Sequence, residues 1–192
     1  NMFNQKTGEW VFHAGPVFAE IVLADEINRA SPKTQSALLE VMEEAQVTVD
    51  GVRRPAPQPF MVIATQNPVE QAGTYPLPEA QLDRFLMKTS IGYPSRAAMI
   101  DVLDGSASPD RSKNLEPLVT GQDIVAWAAL ASANHTDRAV LDYVAALAEA
   151  TRDDESSLLG VSTRGAIGMV RCARVWAAAQ GRNFVLPDDI KA

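Results

Sequence analysis

Cysteine is nearly absent from this chain. The single thiol, Cys172, excludes an internal disulfide. It lies inside a helical pattern and is expected to be a small core residue. Histidine is almost as scarce, and His13 has no chemical partner close in sequence, so a surface or packing role is expected. No apolar run approaches the ~20 residues that would span a membrane. No charged-then-apolar leader opens the chain, so nothing points to secretion and a cytoplasmic location is expected. Positive charge is not in excess: residues 1–94 carry 7 basic and 11 acidic side chains, and residues 95–192 carry 10 and 13. A general nucleic-acid binder would show a basic face, so this balance argues against one. There is also no internal repeat. What remains is 192 residues, 46% hydrophobic and 21% charged, enough for one large or two small globular domains with a real core.

The most informative stretch is Glu20-Ile21-Val22-Leu23-Ala24-Asp25-Glu26-Ile27-Asn28-Arg29. Its apolar run predicts a strand buried on both faces, as in a parallel sheet. Open α/β sheets place ligands at the carboxyl ends of their strands, where Asp25 and Glu26 stand. In nucleotide hydrolases of this build the first acid holds Mg²⁺ and the second can polarise the attacking water. The plainer alternative is a solvated loop start. Phe60-Met61-Val62-Ile63-Ala64 predicts a second buried strand, running into Thr65-Gln66-Asn67-Pro68. If the two strands are parallel neighbours, Asn67 and Glu26 emerge at one sheet edge. Asn67 would there orient a water or touch a phosphate, or cap the turn before Pro68.

Around these strands the chain is punctuated clearly. Glu9 to His13 predicts a short strand. Ser31-Pro32 predicts a helix start, followed by an apolar stripe of Leu38, Val41, Met42 and Ala45, with Glu40, Glu43 and Glu44 solvated. Residues 46–54 predict a hairpin turning at Asp50-Gly51. A loop at 69–78 leads to a short helix over 79–83, then Arg84-Phe85. Leu86 to Tyr93 predicts a third strand. From Ser95 onward helical patterns dominate, over 95–103, 120–133, 137–151 and 163–180. Ser95, Thr120 with Asp123, Thr136 and Ser162 are the expected caps. Residues 104–117 predict a loop. Val140, Leu141, Val144 and Leu147, and Ile167, Val170, Ala173 and Ala177, form two apolar stripes. Gly181 ends the last full helix, and Leu186 to Ile190 reads as the start of another. The expected architecture is an α/β unit over 1–94 followed by a helical bundle over 95–192, divided near Pro94.

This order resembles that of the AAA+ ATPases, and most closely the MoxR family. The resemblance rests on Leu23-Ala24-Asp25-Glu26-Ile27-Asn28-Arg29-Ala30, on Val62-Ile63-Ala64-Thr65-Gln66-Asn67-Pro68, on the long run from Gly73 to Phe85, and on Ser162-Thr163-Arg164. It spans essentially the whole chain. It implies a partial P-loop AAA+ parallel-sheet core followed by an all-α lid. It implies that Asp25 and Glu26 are the Walker B pair, ligating Mg²⁺ and activating water. Asn67 is implied to be the sensor-1 residue, Arg84 an arginine finger reaching a neighbouring subunit's γ-phosphate, and Arg164 the sensor-2 arginine of a lid helix. The hairpin at 46–54 resembles the one this branch inserts before sensor 1, and residues 1–18 the insert before the Walker B strand. Arginine suits such roles because its charge is permanent and its fork rigid. The structural alternatives are ion pairs, of Arg84 with Asp83 or Glu79 and of Arg164 with Asp153 or Asp154.

One departure is large. No G-x-x-x-x-G-K-[ST] run occurs in the 192 residues. In the family that loop precedes the region matched here. The chain is therefore expected to be part of a longer protein and, by itself, to bind nucleotide poorly or not at all.

The resemblance implies an ATP- and Mg²⁺-dependent, chaperone-like remodelling subunit. It would work as a homo-oligomeric, hexameric ring on a protein client, in the assembly or activation of complexes, with von Willebrand factor A domain proteins as partners. A helicase-type DNA motor is the first alternative. Its hairpin would want a basic tip, whereas this tip is Asp50-Gly51 with Arg53 and Arg54 behind it. A non-catalytic adaptor without a nucleotide loop is the second.

Overall fold

The computed structural model describes residues 2–5, 8–67, 73–105 and 115–191. Residues 69–72 of the predicted loop at 69–78 and 106–114 of the one at 104–117 lie outside these residues, as do Pro68 and the last residue, Ala192.

Strands β1 (Met2–Asn4) and β2 (Glu9–Val11) pair antiparallel. Strands β3 (Ile21–Ala24) and β4 (Met61–Ala64) pair parallel and in register, Ile21 beside Met61 and Ala24 beside Ala64. Between them, helix α1 (Pro32–Glu44) packs its buried side on β3 and β4 through Leu39, with Ala24, Leu38, Met42 and Ala64 around it. Ser31 caps it as expected, accepting from the Thr34 N–H. Ala45 then takes a left-handed φ of 51° and ends it. The hairpin follows, its strands Gln46–Val49 and Val52–Pro55 (β5 and β6 here) antiparallel. Asp50 and Gly51, at φ 50° and 77°, supply the turn that the Asp-Gly pair predicts.

Several expectations are corrected. β3 and β4 are not buried on both faces: Ile21 and Leu23 are 63% and 66% exposed, while Val22 and Ala24 turn inward. Double burial needs cover on both sides, and among the described residues only α1's side is covered. Leu86 to Tyr93 forms no strand. Extended chain becomes a strand only beside a partner, and Ile91 and Tyr93 stand fully or nearly fully in solvent. In α1 the deepest side chain is Leu39, outside the expected stripe. Gln35 is buried beside it.

Helices α2 (Glu79–Leu82), α3 (Arg96–Leu103), α4 (Gly121–Ser132), α5 (Arg138–Asp153) and α6 (Thr163–Ala179) complete the chain. Ser95 and Ser162 cap α3 and α6, and Thr120 with Asp123 forms a reciprocal capping box on α4. Hydrogen bonds to Thr120 hold the Asp123 carboxyl below its ordinary pKa. On α5 the cap is Asp137, not Thr136, because the helix begins at Arg138, one residue later than expected; the Thr136 hydroxyl accepts instead from Arg174 Nε at 3.0 Å. A second core gathers Val140, Ala173, Ala177 and Val185. Leu141 and Ile167, expected in its stripes, are exposed instead. Cys172 is also exposed: it adjoins Ala173, and one helical step of about 100° turns it away from the core that Ala173 enters. Residues Pro187–Ile190 form a 3₁₀ turn, not an α-helix. It is pinned by the buried Asp189, which accepts from Arg182 at 2.8 and 2.6 Å and from the Leu186 N–H. The Arg182 guanidinium keeps the Asp189 carboxyl below its usual range.

Candidate functional site

The in-register pairing of β3 and β4 decides what stands at their carboxyl ends. Beyond the last pair, Ala24 beside Ala64, the chain continues into Asp25 and Glu26 on one strand and Thr65 and Gln66 on the other. Asn67 follows at the same edge, which is the placement expected of parallel neighbours. Thr65 is the clasp. Its hydroxyl donates to Asp25 Oδ1 at 2.5 Å and accepts from the Glu26 N–H at 2.9 Å. Its backbone accepts from the Ile27 N–H and donates to the Ala24 carbonyl. These four bonds hold Glu26 in a left-handed conformation, φ 48° and ψ 50°. For a residue with a Cβ this costs of order ~1–2 kcal/mol. The backbone turns sharply there, and the two adjacent carboxylates take different partners. Glu26 Oε2 also meets Arg29 Nε at 3.1 Å, an exposed ion pair.

In the family motif Thr65 carries no role of its own. Its signal was available only through strand register, which puts it opposite Asp25. Gln35 is the other residue that periodicity passes over. Its Nε2 donates to the Ile27 carbonyl at 3.1 Å and to the Tyr75 carbonyl at 2.8 Å, and it is 3% exposed. The Tyr75 N–H donates to the Asn28 carbonyl, and Asn28 Nδ2 donates to the Asn67 carbonyl at 3.3 Å. The acid turn, the end of β4 and the 73–78 segment are thus tied into one network. Replacing Gln35 by alanine should remove the donor to the Tyr75 carbonyl, leave the Ile27 carbonyl with the Ala30 N–H alone, and destabilise the chain by about 1–3 kcal/mol. Chemical denaturation of the variant checks this: an unchanged midpoint would show that the strut is dispensable.

Arg84 and Arg164 form a second group. Arg84 Nη1 lies 3.0 Å from Glu43 Oε2 and donates to the Leu39 carbonyl. Arg164 Nη2 lies 2.7 Å from Glu43 Oε1, and its Nη1 lies 3.5 Å from Asp83. Neither expected ion-pair set is therefore right. The common partner is Glu43, which was expected to be solvated, and it captures both because α6 and the Arg84 turn converge on the last turn of α1. The Ser162 hydroxyl, donating to Asp83 at 2.7 Å, fastens the same corner. Glu43 is eleven residues beyond Pro32, about 16 Å along the helix axis. The acid edge leads into one end of α1 and the two arginines gather at the other.

The donor set at the acid edge fits Mg²⁺. Carboxylate and hydroxyl oxygens are hard ligands, and this ion is commonly held by one or two carboxylates together with phosphate oxygens. Among the described residues no group of three or more His, Cys, Asp or Glu gathers, so no all-protein cage is formed there. No helix among them is long and apolar enough to cross a membrane.

The hairpin shows how its arginines are used. The Arg54 guanidinium lies 3.6 Å from the centroid of the Phe12 ring, which packs edge-on against Phe18. Arg54 is thereby committed to the segment before β3. Salt-sensitive duplex DNA binding is not expected, and Arg53→Ala/Arg54→Ala should change duplex retention little. A large loss of binding in that variant, measured by fluorescence anisotropy, would reverse this view.

Comparison with known proteins agrees with this geometry. Residues 1–87 match the model of the ATPase family associated with various cellular activities (AAA), and residues 149–192 match the AAA lid domain. Chaperone MoxR1 of Mycobacterium tuberculosis is 41% identical over 199 residues, covering 98% of this chain. The chain belongs to the MoxR family of AAA+ ATPases. The uncharacterized YeaC of Bacillus subtilis is 47% identical over 191 residues, covering the whole chain. A crystal structure of a candidate ATPase from Cytophaga hutchinsonii superposes with a TM-score of 0.85 at 40% identity, covering 99% of this chain. The chain spans 60% of YeaC, 52% of MoxR1 and 60% of the Cytophaga protein. The AAA+ fold, with a parallel strand pair and a helical lid, is the MoxR frame in which the acid edge stands.

Proposed function

We propose that this chain is the Walker B-to-lid portion of an ATP-hydrolysing, chaperone-like remodelling subunit. The observation that carries the reading is the shared edge: Asp25 and Glu26 at the end of β3, clasped by Thr65 beside Asn67. Asp25 is the metal-side acid, fixed by the Thr65 hydroxyl. Glu26, turned away from it, accepts a proton from the attacking water. Asn67 orients that water. Mg²⁺, when bound, neutralises charge on the phosphate oxygens. Arg84 serves a neighbouring subunit's phosphate, and Arg164 is the lid's arginine. The core ends and the lid begins near Pro94. The subunit works as a hexameric ring in the cytoplasm, on protein clients in complex assembly or activation, and von Willebrand factor A domain proteins are its partners. The chaperone name of the M. tuberculosis relative supports the client class.

The test uses the complete protein. Wild type should bind ATP more tightly with Mg²⁺ than without, and Asp25→Ala should lose most of that difference. If Asp25→Ala keeps the full Mg²⁺ dependence in equilibrium binding, the assignment of the acid edge is wrong.

A further inference from the structure

Asn28 sits in the 3₁₀ turn Ile27–Arg29, immediately after the acid pair. It is 7% exposed. Its Nδ2 donates to the Asn67 carbonyl at 3.3 Å, and its own carbonyl accepts from the Tyr75 N–H at 2.6 Å. Its Oδ1 is buried and has no hydrogen-bond partner among the described residues. A buried acceptor left unpaired is destabilising, and an apolar side chain of the same shape would avoid that penalty. Turning the amide over offers no escape. Oδ1 would then face the Asn67 carbonyl oxygen, acceptor against acceptor. What the amide keeps, in exchange for an orphaned oxygen, is its bond to Asn67.

That bond falls where the sheet no longer helps. The parallel ladder ends at Ala64, and Asn67 stands beyond it. Thr65 is held to the acid turn by its bonds to Ala24, Asp25, Glu26 and Ile27. Asn67 is held to the same turn by the side chain of Asn28. The residue after Asn67 is a proline, which has no N–H to give to a further rung.

We propose that Asn28 is a positioning residue for ATP hydrolysis: its amide fixes the Asn67 backbone against the acid turn, so that the Asn67 side chain and Glu26 meet the attacking water together. The inference rests on reading Asn67 as the residue that orients that water. One turn carries Glu26 and, through Asn28, sets Asn67. The proton acceptor and the water-orienting side chain thus share a single support.

The experiment uses the complete protein. Asn28→Ala should lower kcat about 10- to 100-fold and leave the KM for ATP within about twofold, since a misplacement of about 1 Å can slow chemistry that much without weakening binding. Asn67→Ala sets the ceiling. Adding Asn28→Ala to it should lower kcat by less than about a further twofold, because no side chain is left to position. A merely structural Asn28 would multiply the two losses, or lower stability with kcat unchanged, and either result overturns the proposal. A crystal structure of the Asn28→Ala protein gives a readout without hydrolysis. The Asn67 side chain should be displaced by about 1 Å or more relative to Asp25. Asn67 in its original place overturns the proposal whatever the turnover. Should Asn28→Ala fail to fold, Asn28→Asp decides. It keeps the shape, but its ionised carboxylate has no donor for the Asn67 carbonyl. The same displacement and the same loss of kcat are expected, and an undisturbed Asn67 or a normal kcat overturns the idea. A complete protein that hydrolysed no ATP would defeat the ATPase reading, and the place of Asn67 in the variant would still decide whether Asn28 positions it.

Discussion

Arg84→Ala in the complete protein is expected to bind ATP nearly normally, to assemble, and to lose roughly 10³–10⁵-fold in turnover. The chain path explains why the residue is held so firmly. Tyr75 is bonded to the Asn28 carbonyl and to Gln35, Leu77 is buried in the α1 core, and Pro78 starts α2. A lead-in fixed at three points places the Arg84 side chain at a set position. That position is the far end of α1 from its own Asp25 and Glu26, and the proposed target of the arginine is a phosphate held by another subunit. The decisive measurement mixes Arg84→Ala subunits with Glu26→Gln subunits, each inactive alone. Some interfaces in a mixed ring then join an intact Glu26 to a neighbour's intact Arg84, and activity should partly return. A mixture that stays inactive while mixed rings demonstrably form would show that Arg84 acts within its own subunit or is only structural.

Glu26→Gln is expected to keep ATP binding, including its Mg²⁺ dependence, and to lose about 10²–10⁴-fold in turnover, the usual contribution of a positioned base. The structure separates this effect from a folding defect. The contacts that set the Glu26 backbone use its N–H and its neighbours, not its carboxylate. Among the described residues the side chain's one ion pair, with Arg29, is exposed and worth little. Glutamine therefore fits the same turn and removes only the proton acceptor. Single-turnover hydrolysis beside equilibrium ATP binding checks it: normal turnover would sink the assignment of Glu26, whereas loss of binding would point to Asp25-like behaviour.

The sequence was most readable where local chemistry alone sets the outcome. Ser31-Pro32, Thr120 with Asp123, Ser162 and Asp50-Gly51 each specify a cap or turn within a few residues, and each forms as expected. Where the result depended on a distant partner, the reading went astray. Leu86 to Tyr93 has strand composition, yet a strand exists only as a ladder, and no described strand lies beside it. The exposure of Ile21 and Leu23 likewise depends on what covers each face of β3. Thr136 has the composition of a cap, but the helix starts at Arg138, Asp137 caps it, and the Thr136 hydroxyl meets Arg174 instead.

The candidate site divides in the same way. Its chemical inventory is legible in the sequence: two adjacent carboxylates after an apolar strand, a polar Asn67 after a second, and two arginines at helix boundaries. These follow from covalent order, which fixes what each strand and helix must end on. Which of these residues meet depends on packing. Strand register set Thr65 against Asp25, burial made Gln35 a strut, and the packing of α6 on the α/β unit brought Arg164 to the carboxylate that Arg84 already held. The physical reason is that hydrogen bonds and ion pairs act over a few ångströms. Residues 79 or 121 positions apart, as Ser162 is from Asp83 and Arg164 from Glu43, acquire a relation only when the cores beneath them have packed.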